Sequence, residues 1–190
     1  MRLLASCSVL LAACSHAPAS EAPPKAADPL ASFEVVRGVL QSPRCVACHP
    51  AGDRPLQGDD LHVHHQNVMR GPRGEGAVGL GCATCHGAAN LPPSYGDNMP
   101  PGVSTGWHLP PPEQKMVFEK LGSRALCEQL KDPQRNGGKD MPALIEHLST
   151  PLVLWGWSPG TGRKPVQVPH AEFLAAFKAW ASQGAPCPAN

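Results

Sequence analysis

Two five-residue stretches decide how this chain is read: Cys45-Val46-Ala47-Cys48-His49 and Cys82-Ala83-Thr84-Cys85-His86. Each has the form C-x-x-C-H, the pattern of c-type haem attachment. The spacing has a physical reason. One turn of chain sets both thiols beside the two vinyl groups for thioether bonds, and the next residue brings its imidazole beneath the iron as an axial ligand. Two copies therefore imply two covalently bound haem c groups, attached at Cys45, Cys48, Cys82 and Cys85, with His49 and His86 as proximal iron ligands. A redox dithiol of the thioredoxin type and a zinc site assembled from the four cysteines are the alternatives. Neither requires the adjoining histidine, and no alternation of apolar strands with helices surrounds either copy.

A six-coordinate iron also needs a distal ligand. The chain has nine histidines; setting aside His16, His49 and His86 leaves His62, His64, His65, His108, His147 and His170. His62 and His64 are the first choice, because the cluster His62-Val63-His64-His65 lies between the two motifs and an extended stretch can point neighbouring imidazoles to opposite sides. His108, His147 and His170 follow, with a capping role open to the last two. Met99, in Asp97-Asn98-Met99-Pro100-Pro101, competes for one iron, where a thioether would raise the reduction potential.

Working outward, the surrounding chain is poor in ordinary core material. Its 190 residues include 23 prolines and 19 glycines but only four Phe, four Trp and one Tyr. No collagen-like period, coiled-coil heptad or internal apolar run of membrane-spanning length is present. The expectation is a fold in which two macrocycles and a covalent staple replace part of the missing core, so that the chain without haem should not fold. Cys127 and Cys187 are the pair left for that staple, as one disulfide closing a loop of about 60 residues in an oxidising compartment; two buried free thiols are the alternative.

The chain opens with one basic residue, Arg2, and an apolar run too short to cross a bilayer, which reads as an export signal. Leu11-Ala12-Ala13-Cys14 looks like a bacterial lipobox, with cleavage after residue 13 and lipidation of Cys14; an ordinary signal peptide is the alternative. Residues 14–29, rich in Pro and Ala, read as a tether, and residues 30–190 as one domain. The 16 basic and 15 acidic residues of the chain become equal once Arg2 is removed. Nothing suggests the basic stripe of a nucleic-acid binder.

Helix signals are short and scattered. Asp28-Pro29 starts a helix carrying Leu30, Phe33, Val36, Arg37 and Leu40, stopped by Ser42-Pro43. The five glycines between 71 and 81 predict a wrapping loop. Helical stretches are expected at Glu113–Leu121, at Arg124–Lys131 behind Ser123, and at Pro142–Leu148 behind Asp140, with Leu126, Leu130, Leu144 and Leu148 facing inward. Pro151–Trp157 reads as an irregular segment. The last helix presents Phe173, Leu174, Phe177, Trp180 and Ala181 on one face and ends at Gly184. The fold class expected is mainly α: a loop-rich di-haem cytochrome c domain with short helices and long Pro/Gly-rich loops.

In the segments CVACHPAGD (45–53), LHVHHQNVMRG (61–71), CATCH (82–86), WHLPPP (107–112), LCEQLKDPQRNGG (126–138), LVLWGWSPG (152–160) and GAPCP (184–188), the chain resembles a family of small bacterial di-haem proteins. Members are often labelled "isoquinoline 1-oxidoreductase subunit". The resemblance spans roughly residues 33–188 and implies electron transfer with a molybdenum hydroxylase-type dehydrogenase as partner; no molybdopterin or iron–sulfur motif is present in the chain. The expectation is then an exported, periplasmic protein, lipid-anchored at the outer membrane, that passes single electrons between an oxidoreductase and a downstream acceptor without being an enzyme itself. A small peroxidase-like haem enzyme with one open distal iron is the alternative. A structural or assembly lipoprotein with vestigial haems is a third.

Overall fold

The computed structural model describes residues 28–189; the expected export leader, the expected lipidation position Cys14, His16 and most of the expected tether lie outside the described residues. Helical turns make up 38% of the structure and loop predominates, so the mainly helical reading holds only in that loose sense. The first helix, α1 (Pro29–Leu40), begins as its sequence asks, with the Asp28 carboxylate accepting from the Leu30 amide at 3.0 Å and Pro29 in the first turn. It leads through α2 (Pro43–Val46) into the first cysteine pair.

The core is built at the other end of the sequence as well. α6 (His170–Ser182) lies along α1, and α3 (Ser123–Lys131) and α4 (Met141–His147) flank the pair. Phe33, Val36, Phe173, Phe177 and Trp180 are buried there, with the Phe33 and Trp180 ring centroids 5.1 Å apart. Each large apolar side chain buried in this way contributes about 1.5–3 kcal/mol. Leu126, Leu130, Leu144 and Leu148 face inward as their spacing predicts. The chain thus assembles a side-chain core of its own from few aromatics, by concentrating them on α1 and α6. A disulfide, Cys127 to Cys187, ties α3 to the segment after α6, where Trp180 Nε1 and Lys131 Nζ also donate to the Pro186 and Ala185 carbonyls.

Four expectations are corrected. Residues 113–121 do not form a helix: one 3-10 turn at Pro112–Gln114 gives way to an extended path with Met116 and Lys120 at positive φ. The reason is tertiary, because this stretch lends its backbone to the first motif, Phe118 N donating to His49 O at 2.9 Å. Pro151–Trp157 is helical, as α5 (Pro151–Leu154) followed by a 3-10 turn at Trp155–Trp157. The glycine-rich loop holds a minimal antiparallel hairpin, β3 (Gly76–Ala77) with β4 (Leu80–Gly81); an equally short one, β1 (Leu56–Gln57) with β2 (His62–Val63), precedes it. Gly74 cannot be replaced there, since its φ is +80° and a Cβ would run into the Leu109 carbonyl. Finally, α3 starts one residue earlier than expected, behind Gly122, because the Ser123 hydroxyl donates to Glu34 across to α1 instead of capping. Among the described residues no helix is long and apolar enough to cross a membrane.

Candidate cofactor site

Both motifs fold into the same turn. In the first, a turn follows α2 through Cys48, whose amide donates to Cys45 O at 3.2 Å, and the His49 amide donates to the same carbonyl at 3.1 Å. In the second, a 3-10 turn at Cys82–Thr84 repeats the pattern, with Cys85 and His86 donating to Cys82 O at 3.2 and 3.0 Å. All four thiols are free.

The imidazoles are oriented alike too. Nδ1 of His49 lies 2.8 Å from Met116 O, and Nδ1 of His86 lies 2.8 Å from Pro101 O. A carbonyl can only accept, so each Nδ1 carries the hydrogen and each Nε2 keeps its lone pair, the tautomer a metal ligand needs. Each ring is also stacked on an aromatic neighbour: His49 on Phe118 at 4.0 Å, His86 on Trp107 at 4.7 Å and nearly parallel.

A cavity of about 280 Å³ opens beside the first motif. Cys45, Cys48 and His49 line it together with His108 and His147, and Leu109, Leu144 and Trp155 contribute to its apolar walls. Its charged lining is Arg44, Arg73 and Lys139, with no carboxylate among the residues around it. Burial pushes the Cys45 thiol up to about 11 and the Cys48 thiol up to about 12, the latter helped by Cys45 and by Cys82 of the other motif. His49 is pulled down to about 4, chiefly by burial and in part by the charge of His147. Burial also lowers His147, with Lys139 and His108 adding to the effect. The apolar surroundings therefore keep His49 neutral and its lone pair available near pH 7.

The second motif is more open: Cys82 is buried, His86 half-buried and Cys85 exposed. His64 stands opposite His86, ring centroids 6.3 Å apart, and its own Nδ1 donates to His65 O at 2.8 Å. The other expected ligands are placed differently. His62 holds Asp60 Oδ1 through Nδ1 at 2.7 Å and keeps its Nε2 buried without a partner, its ring beside His65. Nε2 of His170 donates to Leu148 O at 2.9 Å, and the ring meets Trp157 edge-on. Met99 is half-buried in its loop and, like His62 and His170, is not among the residues lining the cavity.

Several residues were not legible as site residues. Phe118 and Trp107 carry the stacking, and the Met116 and Pro101 carbonyls fix the imidazoles. Arg44 is buried beneath Trp155, its Nη2 donating to Asp59 Oδ1 at 2.6 Å and to Gly58 O. Arg70 is fully buried and donates to the Pro110 and Gly52 carbonyls. The adjacencies of Trp107 to His108 and of Arg44 to Cys45 were the hints the sequence offered. Among the described residues no three Cys, His, Asp or Glu side chains converge as a protein-built metal site would require, so the four thiols are not gathered around a zinc position. What the first motif offers instead is two thiols, one open imidazole nitrogen, apolar walls and cationic lining, which suits a flat apolar group bearing carboxylates. Compared with family models, curated proteins and solved structures, the chain matches none.

Proposed function

We propose that this chain is a di-haem c-type cytochrome that passes single electrons between an exported oxidoreductase and a downstream acceptor. The observation that carries the reading is the shared arrangement of the two C-x-x-C-H turns: in each, Nδ1 is committed to a backbone carbonyl and Nε2 is left open beside two free thiols. Haem c, when attached, supplies reversible one-electron exchange at its iron. The chain's part is attachment through Cys45, Cys48, Cys82 and Cys85 and axial ligation through His49 and His86.

Distal ligation falls to His64 for the second motif, since it faces His86 with a free Nε2. For the first motif it falls to His147, which shares the cavity with His49 and acts on it electrostatically, with His108 next. Bis-imidazole ligation would leave no open position and favours a carrier over a peroxidase-like enzyme. Leu109, Leu144 and Trp155 exclude water from the first site. The Met116 and Pro101 carbonyls hold the imidazole hydrogens at Nδ1. His86 stacks on Trp107, which meets the cavity-lining Trp155 edge-on, so two indoles bridge the attachment turns, which suits electron passage within one chain. Export, lipidation of Cys14 at the outer membrane, and a molybdenum hydroxylase-type dehydrogenase as donor belong to the same proposal and rest on the leader and the family resemblance.

The test is haem stoichiometry. Protein secreted in a host with cytochrome c maturation should carry two covalent haems by intact mass and by its reduced absorption spectrum. Replacing Cys45 and Cys48, or Cys82 and Cys85, by Ala should remove one haem each. Rapid cyanide binding to the ferric protein would favour the haem-enzyme reading, and a wild-type mass with no haem would end both.

A further inference from the structure

We propose that Lys139 is the anion-recognition residue of the cavity beside the first motif, its ammonium taking a carboxylate of the group seated there. The inference rests on the reading of that cavity as a haem c site and names the residue that meets the cofactor's charged edge. Three cations line the cavity. Arg44 is already committed to Asp59 and the Gly58 carbonyl, and Arg73 is exposed and paired with Glu75 at 3.0 Å. Lys139 has no ion pair among the described residues, and the lining holds no carboxylate to meet it.

The local chain is shaped to present this ammonium. Asn136 is buried, its amide donating to the Leu130 and Lys139 carbonyls while its oxygen accepts from the Lys139 amide, so the turn is clamped from inside. Gly137 and Gly138 follow at φ +81° and +74°, and a Cβ on Gly137 would lie 2.9 Å from Lys139 Nζ. The two positive-φ glycines thus set the reversal, and Gly137 leaves the space that the Lys139 ammonium occupies. His147 lines the same cavity, and its basicity is lowered chiefly by burial and partly by Lys139. The clamp fixes the backbone at residue 139, and the missing Cβ at Gly137 gives its ammonium room beside the cavity. A buried or half-buried cation with no counter-charge is costly in an apolar cavity, and a carboxylate of the bound group supplies the missing one.

The test is a potentiometric titration of the intact haem-loaded protein and its Lys139→Met, Lys139→Arg and Lys178→Met variants, with haem content measured first. Removing a positive charge beside one iron favours the oxidised state, so Lys139→Met should lower one of the two midpoint potentials. The expected size is about a tenfold change in the oxidised-to-reduced ratio, or 59 mV for a one-electron couple. Lys139→Arg should keep the wild-type value, and so should Lys178→Met, which removes an exposed charge on α6. Unchanged potentials in Lys139→Met with both haems attached would overturn the proposal, as would an equal fall in Lys139→Arg. A wild-type protein without covalent haem would overturn the reading of the cavity and this inference with it, and the haem measurement alone reveals that case.

Discussion

His64 and His86 face each other with ring centroids 6.3 Å apart and planes tilted by 58°, each with Nδ1 committed to a backbone carbonyl. A metal–imidazole bond is about 2 Å long and the ring centre lies roughly 1 Å behind the nitrogen, so two imidazoles on opposite sides of one metal have centroids about 6 Å apart. The observed separation is similar to that of such a pair. Magnetic circular dichroism of the oxidised protein should therefore show one of two low-spin centres turning high-spin in His64→Ala, and the other in His147→Ala. His62→Ala should leave both low-spin, because that ring does not line the first cavity and has His65, not a motif histidine, as its neighbour. Loss of a low-spin signal in His62→Ala, or unchanged spectra in the other two variants, would refute the pairing.

Trp155 is the wall shared by the two motifs. It lines the first cavity, receives Trp107 edge-on at 4.8 Å, and donates through Nε1 to Asn90 at 3.2 Å. Trp107 in turn stacks on His86. With only 8% of its surface exposed, Trp155→Ala should cost about 3–5 kcal/mol. Trp155→Phe keeps most of the apolar volume and should lose far less. Urea unfolding followed by circular dichroism measures both, and equal losses would show that the indole's hydrogen bond, not its packing, is what counts.

The elements that could be read from sequence are those whose signals are local. Asp28-Pro29 and Asp140 cap α1 and α4 through their own carboxylates, and Phe173, Phe177 and Trp180 repeat at helical spacing on α6. The C-x-x-C-H turns are equally local. Residues 113–121 carry helix-forming letters, yet the helix is lost because His49 needs the Met116 carbonyl and the chain bends at Met116 to supply it. No local signal reports such a demand. The facing of His64 to His86 and of His147 to the first cavity depends on how distant loops pack, and spacing along the chain could only nominate candidates. The burial of Arg44 and Arg70 was illegible for the same reason, since their partners are mostly backbone carbonyls that any residue could provide.

The Cys127–Cys187 bridge closes a loop with a sequence separation of 60 residues and anchors the chain end to α3. Chain-entropy reasoning assigns such a loop about 4 kcal/mol. Replacing both cysteines by Ser should lower stability by about 2–4 kcal/mol while leaving both haem attachment turns intact. The check is a urea midpoint together with an unchanged haem count. A variant of full stability would place the anchoring in the Trp180 and Lys131 hydrogen bonds to the same segment.

Glu34 joins α1 to the start of α3: its carboxylate accepts from Arg37 Nε at 2.7 Å and from the Ser123 hydroxyl at 2.8 Å. These bonds, Arg37 first, hold its carboxyl below the ordinary 4.5. The unfolded chain therefore takes up this proton before the folded one does as pH falls. The stabilisation is complete above about pH 4.5 and disappears as pH drops through the lower folded value. Because the pair is largely exposed, it contributes less than about 1 kcal/mol. Glu34→Gln should accordingly lower the urea midpoint near neutral pH and converge with wild type as pH falls through the lowered folded value. A gap that persists in acid would mean that Glu34 acts through its shape and neutral hydrogen bonding and not through its charge.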